Sequence, residues 1–132
     1  MATSIIVQIE LTKSHLEDII VTALEGGSNY WYQLGKMPTD LPSKGQPLAV
    51  RITEYVMNGG VIPIYDYEES YGDDESEWTK LGDISRESIS NGIAKCTQHN
   101  ASAIGNIMSE DYDGGDADIV FQYIVMGEVV FG

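Results

Sequence analysis

The sequence predicts an α+β fold: a small, mainly antiparallel sheet packed by three or four helices in a single domain over residues 1–132. Three observations carry that expectation. The chain has 132 residues, 42% of them hydrophobic, enough for one core that buries roughly two-thirds of the surface its unfolded chain exposes. Stretches that alternate apolar and polar residues with period two are interleaved with stretches whose apolar residues recur every three or four. No apolar run approaches the ~18–20 residues of a membrane span, and one cysteine excludes an internal disulfide framework.

The elements follow in order. In residues 3–11, Ile5, Val7, Ile9 and Leu11 alternate with Ile6, Gln8 and Glu10, the pattern of a half-buried strand. Ser14 and Glu17 have capping-box spacing, and Leu16, Ile19, Ile20, Ala23 and Leu24 form the apolar stripe of a helix over 14–25. Gly26 and Gly27 are expected to end that helix in the left-handed C′ conformation. His15, in the first turn, is expected simply to be exposed. The aromatic run Tyr30-Trp31-Tyr32 favours an extended segment at 28–33. Three prolines and two glycines in residues 35–47 mark a surface loop. Leu48, Ile52, Tyr55 and Val56 predict a helix over 48–58, and residues 60–67 a strand in which Pro63 points to an edge or a bulge. Residues 66–77 hold seven acids and read as a solvated hairpin connection or a mobile surface loop that adds little to folding. A strand returns at 77–82. Ser85 caps a helix over 85–99 with Ile89, Ile93 and Cys96 inward. A short helix follows at 101–108, and a last one at 116–126 is closed by Gly127. Val129, Val130 and Phe131 are apolar enough to dock.

The charge narrows the function. With 21 acids against 7 bases the chain carries −14, which disfavours direct binding to nucleic acid or an anionic bilayer, both polyanions. The N-terminal residues lack a basic region followed by an apolar stretch, so a cytoplasmic location is expected. Each candidate site also has a plainer role. Gly114-Gly115 precedes a helix as a phosphate cradle would, but Asp111, Asp113, Asp116 and Asp118 around it would repel phosphate. Those four acids are weak candidates for Ca²⁺. A helix cap with acids complementing the dipole is favoured over it. Cys96 and His99 share a helix, yet two histidines and one cysteine cannot close an N/S zinc site, and Cys96 reads as a buried structural thiol. Asn29, Tyr30 and Trp31 are the candidate ligand-binding residues, able to line a cleft directly after a glycine turn. Trp31 is expected to be structural. No catalytic residue, metal or cofactor is assigned.

The segment Glu25-Gly26-Gly27-Ser28-Asn29-Tyr30-Trp31 resembles the opening motif of small bacteriophage and prophage proteins of no assigned function. In that family a helix, a glycine pair and a strand ending in D-x-E follow. They correspond here to Asn58-Gly59-Gly60-Val61 through Asp66-Tyr67-Glu68. The family's acidic end segment corresponds to Asp116-Ala117-Asp118, Gln122 and Gly127-Glu128-Val129-Val130-Phe131-Gly132. Residues Asp83-Ile84 through Gly92-Ile93 resemble the helix after its strand pair. The resemblance extends over most of the chain. It implies a phage or mobile-element context inside a bacterial host cell and carries no catalytic residues. The leading expectation is a non-enzymatic accessory protein acting by protein–protein contact, self-association as a homodimer included. The alternatives are an acidic DNA mimic that inhibits a host nucleic-acid or defence enzyme, and a small hydrolase or nucleotide-processing enzyme using Asn29, Tyr30 and the Asp111–Asp118 acids.

Overall fold

The computed structural model describes residues 3–5 and 8–132. Helix α1 (Lys13–Thr22) is capped by Thr12, two residues before the expected cap Ser14. The Thr12 hydroxyl accepts from the His15 N–H at 3.2 Å, and His15 Nδ1 accepts from the Thr12 N–H at 3.1 Å. An imidazole nitrogen thus takes the part usually given to Glu or Gln, and His15 is a capping group rather than a bystander. Nor does α1 stop at a left-handed glycine. Ala23–Gly27 continue as a wider π turn, with the Ser28 N–H bonded to the Ala23 carbonyl at 2.8 Å, and neither Gly26 nor Gly27 has a positive φ. Close approach, not handedness, explains the second glycine. A Cβ on Gly27 would lie 2.6 Å from the Gly114 carbonyl oxygen, whereas one on Gly26 would face open space.

Three antiparallel strands, β1 (Tyr32–Leu34), β2 (Ile62–Asp66) and β3 (Lys80–Ile84), form a sheet of order β1-β2-β3. The strand expected at 28–33 starts only at Tyr32, because residues 28–31 are held in a turn by the Trp31 N–H on the Ser28 carbonyl at 3.1 Å. Pro63 stands in the central strand, not at an edge. β1 pairs no further than Leu34 with Ile64, so Pro63 faces only Asp83 on β3 and no donor toward β1 is missed. One position on, the register shifts: Ile64 pairs Gly82 but Tyr65 pairs Lys80, leaving Leu81 as the extra residue of a bulge. Of the strand expected at 3–11, residues 6 and 7 lie outside the described residues, and residues 3–5 and 8–11 carry no strand. Ile5 and Ile9 are 87% and 42% exposed.

Helix α2 (Leu48–Met57) joins β1 to β2 and packs on α1. The acidic segment is a solvated hairpin connection between β2 and β3, the first of its two expected readings, and it carries hydrogen bonds of its own. The Asp66 carboxylate accepts from the N–H groups of Glu68 and Glu69 at 2.9 and 3.1 Å. Ser70 is buried and its hydroxyl accepts from the Thr79 N–H at 3.2 Å. Asp74 caps a single 3₁₀ turn over Glu75–Glu77 through the Ser76 N–H and hydroxyl, which hold its carboxyl below the usual range. Glu75 reaches across to accept from the Lys36 N–H, and Trp78 packs edge-on against Tyr65 with ring centroids 5.4 Å apart. The Asp66 and Asp74 bonds are internal to the connection, whereas Ser70, Glu75 and Trp78 tie it to Thr79, Lys36 and Tyr65.

Helix α3 (Arg86–His99) starts at a reciprocal Ser85–Ser88 cap, α4 (Ala101–Met108) follows, and α5 (Gly114–Met126) closes the fold. Helix α5 is apolar on nearly every side, which marks a helix with neighbours all round. It packs on α1, the π turn, α3, α4 and β3. Two glycines let its backbone in: a Cβ on Gly92 of α3 would sit 2.4 Å from the Tyr123 carbonyl oxygen, and one on Gly82 of β3 would sit 2.0 Å from that of Val125. Phe121 and Ile124 of α5 meet Ile19 and Ile20 of α1, Ile52 of α2, Ile62 and Ile64 of β2, Ile84, and Ile104 and Ile107 of α4 in one core. The result is an α+β fold with, among the described residues, five α-helices and a small antiparallel sheet. No helix among the described residues is long and apolar enough to cross a membrane.

Candidate functional site

The two end motifs singled out in the sequence meet in space around one carboxylate. Asp113 caps α5 and Asp116 returns the bond as its third helical residue, so the helix begins at Gly114 rather than at 116. That start turns Asp118 into the second turn and toward the core, where it is only 8% exposed. Opposite it, the π turn after α1 ends with Ser28, and the close approach of Gly27 to Gly114 sets the spacing between the two segments. The Ser28 hydroxyl and the Trp31 indole N–H each donate to Asp118 Oδ1 at 2.7 Å. The Tyr30 hydroxyl donates to Oδ2 at 2.6 Å, and Gln122 Nε2, one helical turn on, donates to Oδ2 at 3.2 Å.

Gln122 extends the network to the end of the chain. Its Oε1 accepts from the N–H groups of Val130 and Phe131 at 2.8 and 2.9 Å, and its Nε2 donates to the Phe131 carbonyl at 3.0 Å. Gly127, at φ 78°, supplies the turn that brings this segment back. The Phe131 ring then stacks on Trp31, 5.4 Å between centroids and 9° between planes. Trp31 is 2% exposed and lies also against Phe121.

The chemistry open to this cluster is restricted. A carboxylate offers about four lone-pair sites, and Asp118 has four donors. No acceptor position remains for a substrate proton or a metal ion. Its partner Tyr30 is held protonated: burial, with the Asp118 carboxylate as acceptor and as charge, pushes its hydroxyl up to about 12. Tyr30 is therefore not poised for acid–base work near neutral pH. Of the other candidates, Asn29 is exposed. Asp113 and Asp116 serve the cap, Asp116 also accepting from Asn106 Nδ2 at 3.2 Å, and Asp111 is exposed. Among the described residues no group of three or more His, Cys, Asp or Glu side chains is placed to hold a metal ion. Cys96 is buried in the core, its thiol pushed up to about 11 by burial, while His99 is exposed. They do not form a nucleophile pair.

Tyr30 nevertheless faces outward as well as inward. The residue is 48% exposed, and with Phe131, Asp66, Glu68 and Glu69 it lines a pocket of about 270 Å³ at the root of the acidic connection. The Tyr67 N–H on the Trp31 carbonyl at 2.8 Å joins the two segments there, and Tyr67, Val129 and Val130 expose apolar surface nearby. Ser28, Gln122 and the acids at the loop root were not among the expected site residues. A signal for Gln122 exists in the sequence: it stands four residues after Asp118 in an otherwise apolar helix, so both polar groups must find partners inside.

Compared with protein-family models, curated proteins and solved structures, the chain finds no match at any of the three levels, so the reading of this pocket rests on its own residues.

Proposed function

We propose that the chain is a non-enzymatic accessory protein of a bacteriophage or prophage that acts in the host cytoplasm by contact with another protein. Its contact surface is the concave patch of Tyr30, Phe131 and the root of the β2–β3 connection. One observation carries this reading: three carboxylates, from Asp66, Glu68 and Glu69, line a single pocket with an exposed tyrosine whose hydroxyl is pinned from beneath by Asp118. Tyrosine is enriched at protein interfaces. A ring already fixed in place loses little entropy when a partner covers it. The acids select a partner that presents Lys or Arg beside apolar groups.

The test is capture of a partner from a lysate of the bacterial host at low and high salt. The isolated partner is then titrated with the wild type, Tyr30→Ala and the double variant Glu68→Lys, Glu69→Lys. Both variants should weaken binding by at least about tenfold, 1.4 kcal/mol. A partner held equally well by all three proteins would overturn the reading.

A DNA mimic is the second reading, and the ordered acidic connection favours it: mimicry needs carboxylates at fixed spacing, and Asp66, Asp74 and Glu75 are each fixed by hydrogen bonds. It predicts that duplex DNA competes for the captured partner and that Tyr30→Ala binds normally. Neutralising Asp73, Asp74 and Glu77 would then abolish binding, and affinity would fall steeply with salt.

A further inference from the structure

The segment after Gly127 fills a slot instead of joining an element. Residues 129–132 lie in neither helix nor strand, and Glu128, Val129, Val130 and Gly132 are exposed. What holds the segment is narrow. Three hydrogen bonds fix the backbone of Val130 and Phe131, and the Gln122 amide makes all three. That amide stands where the edge of a strand would stand for an added one. The Phe131 ring goes in beside it, stacked on Trp31. A backbone-reading amide next to an aromatic socket accepts any extended segment with an aromatic at that place. The fit is incomplete one residue on. Gly132 follows Phe131 into the pocket of Tyr30, Asp66, Glu68 and Glu69, and a Cβ built on it meets nothing within 4 Å. Three carboxylates thus share a pocket with a residue that has no side chain. Neither ion pair among the described residues, Lys13–Glu54 or Lys80–Asp83, involves them.

We infer that residues 130–132 are an exchangeable occupant, and that the partner protein inserts in their place an extended segment in which an aromatic residue is followed by Lys or Arg. This rests on the pocket being the protein's contact surface. An incoming segment re-forms the bonds to Gln122 and the stack on Trp31, so those contributions nearly cancel in the exchange. Its base adds what Gly132 lacks, a cation among three carboxylates. Gly127, at φ 78°, is the pivot: α5 ends there, and the chain's own segment swings away with the helix intact. Because the slot is filled in the free protein, the apparent affinity for any partner is lowered in proportion to the fraction of molecules in which it is open.

Fluorescence anisotropy with two labelled, end-capped peptides, Glu-Val-Val-Phe-Arg and Glu-Val-Val-Phe-Glu, tests the exchange on the full chain. The Arg peptide should bind Phe131→Ala at least about tenfold more tightly than wild type, because the variant's own segment competes less. On Phe131→Ala it should also bind at least about tenfold more tightly than the Glu peptide. Adding Glu68→Lys and Glu69→Lys should remove that preference. Equal binding of the Arg peptide to wild type and Phe131→Ala would overturn the inference, as would equal binding of the two peptides. Gly132→Arg gives a test that does not depend on Phe131→Ala folding. A base in the chain's own segment should raise the urea midpoint, and the gain should vanish when Glu68 and Glu69 are both replaced by Lys. A midpoint that does not rise would overturn the place assigned to the base. A captured host partner that needs Tyr30 and the acids, yet binds wild type and Phe131→Ala alike, would leave the pocket's role standing and overturn the exchange alone.

Discussion

Asn at position 118 keeps the size of the side chain but replaces one acceptor oxygen with an amide NH₂. Tyr30 and Gln122 would then donate toward a donor, or Ser28 and Trp31 would if the amide turned over. Hydrogen bonds to a charged group contribute about 1.5–3 kcal/mol each, and unsatisfied buried partners add a further cost. Asp118→Asn should therefore lower the unfolding free energy by about 2–4 kcal/mol, read as a lower urea midpoint. An unchanged midpoint would mean the network contributes little to stability. Tyr30 adds a pH signature. Its hydroxyl titrates at about 12 in the folded chain against an ordinary 10.0, so the unfolded chain loses its proton first. Stability is then intact below pH 10 and is lost as pH rises through that window. In Tyr30→Phe the melting temperature should start lower at neutral pH but fall less steeply between pH 10 and 12.

At the scale of elements, the paired glycines after α1 separate two roles that look alike in sequence. Gly26 has helical φ and open space around it, so Gly26→Ala should be neutral or stabilise by about 0.5–1 kcal/mol. Gly27→Ala drives a methyl into the Gly114 carbonyl and should cost about 1–3 kcal/mol. Equal urea midpoints for the two variants would contradict that close approach. How far the elements were legible depended on what fixes each of them. The helices over 48–57, 86–99 and 101–108 were readable because their apolar stripes and, for α3, the Ser85 cap lie within a few residues of one another. The strand expected at 3–11 was not, because alternation shows only that a segment suits a sheet edge; a ladder needs a neighbour, and the described residues of that segment pair with none. Asp118 was misread for a different reason. Counted from the expected helix start at 116 it belongs to the first turn, where acids complement the dipole. Counted from the true cap at Asp113 it belongs to the second, facing the core.

For the molecule as a whole, the acidic connection does more than carry charge. The expectation that it adds little to folding rested on the mutual repulsion of its seven acids, but Ser70, Glu75 and Trp78 anchor it to Thr79, Lys36 and Tyr65. Replacing residues 69–75 with a short Gly-Ser turn removes the first two anchors and exposes the outer face of the sheet near Gly35. The melting temperature should drop by several degrees, as expected for a loss of about 1–2 kcal/mol. An unchanged or raised melting temperature would show that relief of repulsion outweighs the anchors.

The hydrogen bond from Ser28 to Asp118 spans 90 positions of chain, and the Trp31–Phe131 stack spans still more. Helix α5, against which α1, α3, α4 and β3 all pack, follows all of them in the chain. During synthesis the earlier helices and the hairpin therefore wait on the ribosome without the surface they cover, their isoleucines exposed until residues through Phe131 have emerged. Folding dominated by such long-range closure is slow to begin, and the waiting chain is open to chaperones and proteases. A nascent chain halted before α5 should be digested readily, and one extended far enough past Phe131 to clear the exit tunnel should resist.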